Sequence, residues 1–169
     1  MNLVQSSEAP SREPSSEPGA ATVPRDYNFA ADILKRNLDA GRADKIAFID
    51  HRGKYSYADL ADRVERFAHV LRGLGVRSEE RILICLLDTI DWPTAFLGAI
   101  KAGVVAVPVN TLMTEDDYRF MLDDSRARVL VVSEELLPKF ASAIAGANFG
   151  NSSSETTSTR ARLSSSMYR

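Results

Sequence analysis

Three short apolar runs constrain this chain more than any other feature: ILICLL (82–87), VVAVPV (104–109) and RVLVVS (128–133). None alternates polar with apolar, so none reads as a strand with one wet face. Continuous apolar strands are buried on both faces, which is the habit of parallel sheets. Helical segments separate them. Asp91 is expected to cap the first, Pro93 falls in its first turn, where a missing N–H costs least, and Gly103 ends it. Thr114 caps the second, and Glu115, Asp116 and Asp117 put negative charge at the positive end of its dipole. Ser133 is expected to cap a last helix running through Ala145. Pro108 removes a ladder donor, so the middle run ends or lies at a sheet edge there. Strand alternating with helix predicts an α/β fold, a mostly parallel sheet with helices on both faces.

Upstream the pattern changes. Asn28 caps a helix whose apolar positions are Phe29, Ile33, Leu34 and Leu38, and Gly41 closes it. KIAFID (45–50) alternates like a strand, residues 51–54 form a polar turn, and Tyr55 to Tyr57 resume as a strand, so a hairpin is predicted. Ser56 with Asp59 forms a capping box. The helix it opens shows Leu60, Val64, Phe67, Ala68 and Leu71 on one face and stops at Gly73 and Gly75.

Composition matters chiefly at the ends. Residues 1–24 hold four of the seven prolines, five serines, three glutamates and no aromatic, and residues 148–169 hold ten Ser or Thr among 22. Neither stretch carries enough apolar surface to offset its ordering entropy, so both are expected to be disordered. Residues 25–147 are expected to form the one folded unit, within the ~100–200 residues of an ordinary domain. Lys and Arg total 21 against 23 Asp and Glu, a formal net charge of −2, which argues against a nucleic-acid partner. There is no signal-peptide pattern and no apolar run of the ~18 residues that a membrane span needs, so a cytoplasmic protein without a membrane partner is expected.

The search for chemistry finds no complete site, and no catalytic, cofactor-binding or metal residue is assigned. The sequence lacks the GxxxxGK phosphate loop and a GxGxxG after a strand; Gly73-Leu74-Gly75 follows a helix and is a C-cap. His51 and His69 have no partners at metal-ligand spacing. Cys85 lies inside ILICLL, where burial makes a thiol inert. The acidic pairs Glu79/Glu80, Asp116/Asp117, Asp123/Asp124 and Glu134/Glu135 are adjacent residues, which do not face each other on a helix, so they read as caps and solvated charges. Trp92 and Phe96, at helical spacing, read as core or interface. Tyr55 and Tyr57 lack the basic interleaving of a base-stacking surface.

The residues do carry a resemblance. YSYADL (55–60) followed by GAIKAGVVAVPVN (98–110) resembles the first two sequence blocks of the AMP-forming acyl- and aryl-CoA synthetases. YNFAADILKRNLDAGRADKIAFID (27–50), LLDTIDWPTAFLGAIKAG (86–103) and the stretch from Asn110 to Leu137 are similar to the benzoate–CoA ligase branch of that superfamily. The resemblance spans residues 25–147. It implies an incomplete sheet, part of the large N-terminal domain of an acyl-adenylate-forming enzyme. It also implies a parent reaction in which an aromatic carboxylate attacks the α-phosphate of MgATP and coenzyme A then displaces AMP. The phosphate loop, adenine motif and catalytic lysine of such enzymes lie downstream of the matched blocks, so this chain is expected to bind neither cofactor and to be inactive alone. Lys101 and Asp59 sit inside the matched blocks, but a cation near a helix C-terminus and a capping residue explain them.

The likeness breaks at Asn148. NFGNSSSE written in one choice of GC-rich codons and read two bases on becomes LRQLVVG, an apolar strand ended by glycine, so a reading-frame change is one explanation, beside a natural truncation and a cloning artefact, and the DNA past the codon of Ala147 tests it. Two other readings stay open: a non-catalytic module that pairs with a partner through an open sheet edge, and a free-standing nucleotide-binding domain. Apolar surface left uncovered by missing strands predicts self-association.

Overall fold

The computed structural model describes residues 23–146. The segments expected to be disordered lie outside these residues, except for Val23 and Pro24.

The expected order of elements is present. Helix α1 (Phe29–Asp39) leads into a hairpin of β1 (Ile46–Asp50) and β2 (Gly53–Ser56), then α2 (Tyr57–Gly73). The alternating part follows: β3 (Arg81–Cys85), α3 (Asp91–Lys101), β4 (Val105–Pro108), α4 (Glu115–Ser125), β5 (Val129–Val132) and, after a 3-10 turn at Glu134–Leu136, α5 (Leu137–Gly146). β3 lies in the middle of a three-stranded sheet ordered β4-β3-β5. Both pairings are parallel, with Ile84 opposite Pro108 on one side and Val131 on the other.

Side chains of β3 alternate between two cores. Ile82 and Ile84 face Phe67 and Leu71 of α2 and Ala95 and Ala99 of α3. Leu83 and Cys85 face Tyr118 and Leu122 of α4 and Phe140 of α5. All four strand residues are fully buried, as a strand covered on both faces must be. The crossovers therefore run on opposite faces: α3 carries the chain from β3 to β4 on one side, and α4 carries it from β4 to β5 on the other.

The two helices of the first face approach closely. A Cβ on Gly98 of α3 would stand 2.7 Å from Cδ1 of Phe67, so only glycine admits that contact. Gly103 closes α3 with φ +76°, a left-handed conformation that glycine adopts without penalty.

Several local expectations hold. Ser56 with Asp59 and Thr114 with Asp117 both form complete capping boxes. The Asn28 side chain accepts from the Ala31 N–H. The five residues expected on the inner face of α2 are all buried.

Others need correction. The hairpin turn is two residues, His51 and Arg52, and Tyr57 opens α2 because Ser56 has become its cap. β4 is not buried on both faces, since Val105 is 46% exposed; among the described residues it is an outer strand, as Pro108 led one to expect. Phe29, Ile33 and Leu38 stay partly exposed, because α1 buries only Ala30 and Leu34. Neither Asp91 nor Ser133 acts as the cap expected of it. The N-cap of α3 is Ile90, and the Ser133 hydroxyl accepts from the Leu87 N–H at 2.9 Å instead of from its own helix.

Candidate functional site

A parallel sheet presents a crevice where neighbouring strands send their connections to opposite faces, and ligands of open α/β proteins bind there, beyond the carboxyl ends of the strands. Here that point lies between β3 and β5. From β3 the chain turns to α3, and from β5 it turns to α5 on the other face. A cleft of about 170 Å³ occupies the place, walled by Leu86 and Leu87 after β3, Val132 and Ser133 at the end of β5, and Thr94 of α3. The hairpin turn, with His51 and Arg52, completes its rim.

Charge reaches the cleft from three elements: Arg52 of the turn, Asp91 of α3, and Glu134 and Glu135 of the 3-10 turn. Arg52 Nη2 donates to Asp91 Oδ2 at 2.7 Å, and Arg63 of α2 lies 3.6 Å from the other Asp91 oxygen. The Arg63 guanidinium stands 5.1 Å over the Tyr55 ring. Behind them Asp50 is buried to 1% exposure and accepts from the N–H groups of Arg52, Gly53 and Ile90. Burial works to raise the Asp50 carboxyl pKa, but these three N–H donors and the nearby Arg52 guanidinium outweigh it and hold the group below the usual carboxylate range. For Arg52 burial works in the opposite direction, and the Asp91 carboxylate outweighs it, leaving the guanidinium more firmly charged.

These polar groups are largely spent on the protein itself. Arg52 is committed to Asp91, Thr94 Oγ1 donates to the Ile90 carbonyl, and Ser133 is held by Leu87. No Lys, Cys or Gly lines the cleft. Its volume falls below the ~300–1,000 Å³ of small-molecule pockets. Among the described residues, the arrangement can form one wall of a larger site.

The residues weighed from the sequence scatter. His51 and the pair Glu134 and Glu135 reach the cleft rim. His69 lies out on α2, its Nδ1 2.9 Å from the Glu65 carbonyl. Lys101 pairs with Glu65, and Asp59 serves its capping box. Glu79 takes a left-handed turn conformation with φ 65°, while Glu80 accepts from the Arg77 N–H. Asp116 pairs with Arg119, the Asp117 carboxylate accepts from the Thr114 N–H in the capping box of α4, and Asp123 and Asp124 lie on the last turn of that helix. Trp92 and Phe96 stack with centroids 5.1 Å apart against the α2–α3 core.

Cys85 belongs to the opposite core. Its Sγ lies 3.7 Å from the Tyr118 hydroxyl, which donates to the Asn110 carbonyl at 2.9 Å. Burial pushes the Cys85 thiol pKa up, and it pushes Tyr118 up to about 12, so both stay protonated. Among the described residues no group of three or more His, Cys, Asp or Glu is placed to hold a metal, and no helix is long and apolar enough to cross a membrane.

The sequence reading missed Asp50, Arg52 and Arg63. One signal was available: Asp50-His51-Arg52-Gly53 is an Asx-turn pattern, an aspartate bonding the backbone two residues on, with glycine closing the hairpin. The bond from Asp50 to Ile90, 40 residues away, has no local signature.

The model of the AMP-binding enzyme family matches residues 34–164. The chain is 55% identical over 128 residues to the benzoate–CoA ligase of Thauera aromatica, covering 75% of this chain and 24% of that one. It is 51% identical over 114 residues to a 4-hydroxybenzoate–CoA/benzoate–CoA ligase of Rhodopseudomonas palustris, covering 68% and 21%. Among solved structures, the benzoate CoA ligase of Burkholderia xenovorans superposes with a TM-score of 0.69 at 47% identity, covering 72% of this chain and 24% of that one. An anthranilate CoA ligase solved with anthranoyl-AMP gives a TM-score of 0.71 at 37% identity, covering 75% and 24%. The chain thus spans about a quarter of the length of the proteins it matches.

Proposed function

The chain belongs to the AMP-binding enzyme family, and we propose that it is part of the N-terminal domain of an ATP-dependent aromatic-acid CoA ligase of the benzoate type. The observation that carries this is the 55% identity to a benzoate–CoA ligase, which runs over 128 residues in one alignment. We place the extent of this partial domain at residues 25–147.

The parent reaction has two steps. A carboxylate oxygen of the aromatic acid attacks the α-phosphorus of MgATP, forming the acyl-adenylate and releasing pyrophosphate. The coenzyme A thiolate then attacks the acyl carbon, and the acyl–oxygen bond breaks to release AMP. Both steps place negative charge on phosphate oxygens, which needs positioned N–H groups, a metal ion or a lysine. Among the described residues, no lysine lines the cleft, and its Arg52 is held by Asp91. In this reading the chain supplies frame, and neither step runs on it alone.

The test is direct. The pure chain, incubated with benzoate, MgATP and coenzyme A, is expected to release no AMP above a blank, and calorimetry with ATP or AMP is expected to show no binding heat. Measurable benzoyl-CoA would overturn the reading. A second reading, a binding module that pairs through a sheet edge, is favoured by one observation: β4 and β5 are both outer strands among the described residues. Co-purification of a partner at fixed stoichiometry would support it over the first.

A further inference from the structure

Asp50 does two jobs with one carboxylate. Its Oδ1 accepts from the N–H groups of Arg52 at 2.8 Å and Gly53 at 3.1 Å, closing the hairpin turn. Its Oδ2 accepts from the Ile90 N–H at 2.9 Å. Ile90 is the N-cap of α3, and it makes no side-chain cap of its own. A carboxylate there also meets the positive end of the helix dipole. The cap expected of Asp91 is thus served from the hairpin, which leaves Asp91 to hold Arg52.

We infer that Asp50 is a positioning residue, a charged clasp that pins the hairpin turn to the start of α3 and thereby sets the rim of the cleft between β3 and β5. The side chain is buried to 1% exposure, so the clasp depends on its charge being matched by donors rather than by water. The charged and titratable groups around it are Arg52 of the turn, whose Nε is 3.7 Å from Oδ2, and behind Arg52 the carboxylate of Asp91, with Arg63 and Tyr55 beyond. This inference rests on the fold alone and stands apart from the ligase reading.

The sign of the pH effect follows. The folded carboxyl titrates below its ordinary range, so the clasp is closed at neutral pH and opens as pH falls through that lowered value. Amide exchange, expressed as protection factors at each pH, reads it residue by residue. In Asp50→Asn the amides of Arg52, Gly53 and Ile90 are expected to lose protection by about tenfold or more, with β3 and β5 unchanged. In the wild-type chain the same three amides are expected to lose protection on acidification before β3 does, and this early loss should vanish in the variant. Unchanged protection in the variant, or a uniform loss throughout the fold, overturns the inference. Should the variant fail to fold, the wild-type titration decides: loss of the three amides at the same pH as β3 rejects the clasp, and earlier loss upholds it.

Discussion

Around β3 the chain is held by burial. Ile82, Leu83, Ile84 and Cys85 are fully covered, and the helices on each face meet them with aliphatic and aromatic side chains. The β1–β2 corner is built differently. Ile49 is 65% exposed and Ile46 44%; Ala47, Phe48 and Tyr55 pack against a small core of Leu60, Val64 and Ile90, while the turn itself is joined to α3 by the Asp50–Ile90 bond and the Arg52–Asp91 pair. Burial is non-directional and tolerates shifts; hydrogen bonds to a carboxylate fix distances. The sheet gives the molecule its stability, and the corner gives the cleft its shape. The cleft lies where the two meet.

That contrast is sharpest at Phe67. Its ring is 2% exposed and serves the core of α2, α3 and β3. Phe67→Ala should cost about 3–5 kcal/mol by lost transfer energy and cavity formation, read as a drop in the denaturation midpoint of the whole chain. A drop confined to the hairpin would break the comparison.

The close approach of α2 and α3 gives the next effect. Gly98→Ala places a methyl 2.7 Å from Phe67 Cδ1 in the same core, and should cost about 1–3 kcal/mol by overpacking. Because the change adds apolar area rather than removing it, a neutral result would show that Phe67 is free to move, against the description of a tightly packed face.

The smallest effect belongs to the corner. Arg52 and Asp91 are 30% and 29% exposed, so solvent screens them. A double-mutant cycle through Arg52→Ala and Asp91→Ala should give a coupling of about 0.5–1 kcal/mol, falling as salt is raised. A coupling as large as the Phe67 effect would mean that charge, not burial, carries the stability of both regions.

Much of the sheet region was legible in sequence because its signals are local. A capping box spans four residues, and the buried face of α2 repeats at helical spacing. The run that became β3 lacks alternation because both its faces are covered, whereas the run that became β5 is buried on one face and half-buried on the other. VVAVPV looked the same and misled, since exposure of an outer strand depends on which strand stands beside it, and only the Pro108 signal pointed to an edge. The corner was nearly illegible. Asp91 has the right residue type and place for a cap, yet Asp50 reaches Ile90 from across the fold, and no spacing rule records a contact over 40 residues. Ser133 lost its cap role in the same way, to the Leu87 N–H. The family resemblance was legible because five stretches fall in order; the cleft was not, because it is assembled from the hairpin, α3 and the ends of β3 and β5.

Grafting is the most direct test of the central claim that this chain is frame for an aromatic-acid ligase. Residues 25–146 would replace their aligned counterpart in the Thauera aromatica benzoate–CoA ligase, and AMP release with benzoate would be measured. The account predicts a folded chimera that forms benzoyl-CoA. A chimera that melts cooperatively, like the parent, but forms no benzoyl-adenylate would contradict it.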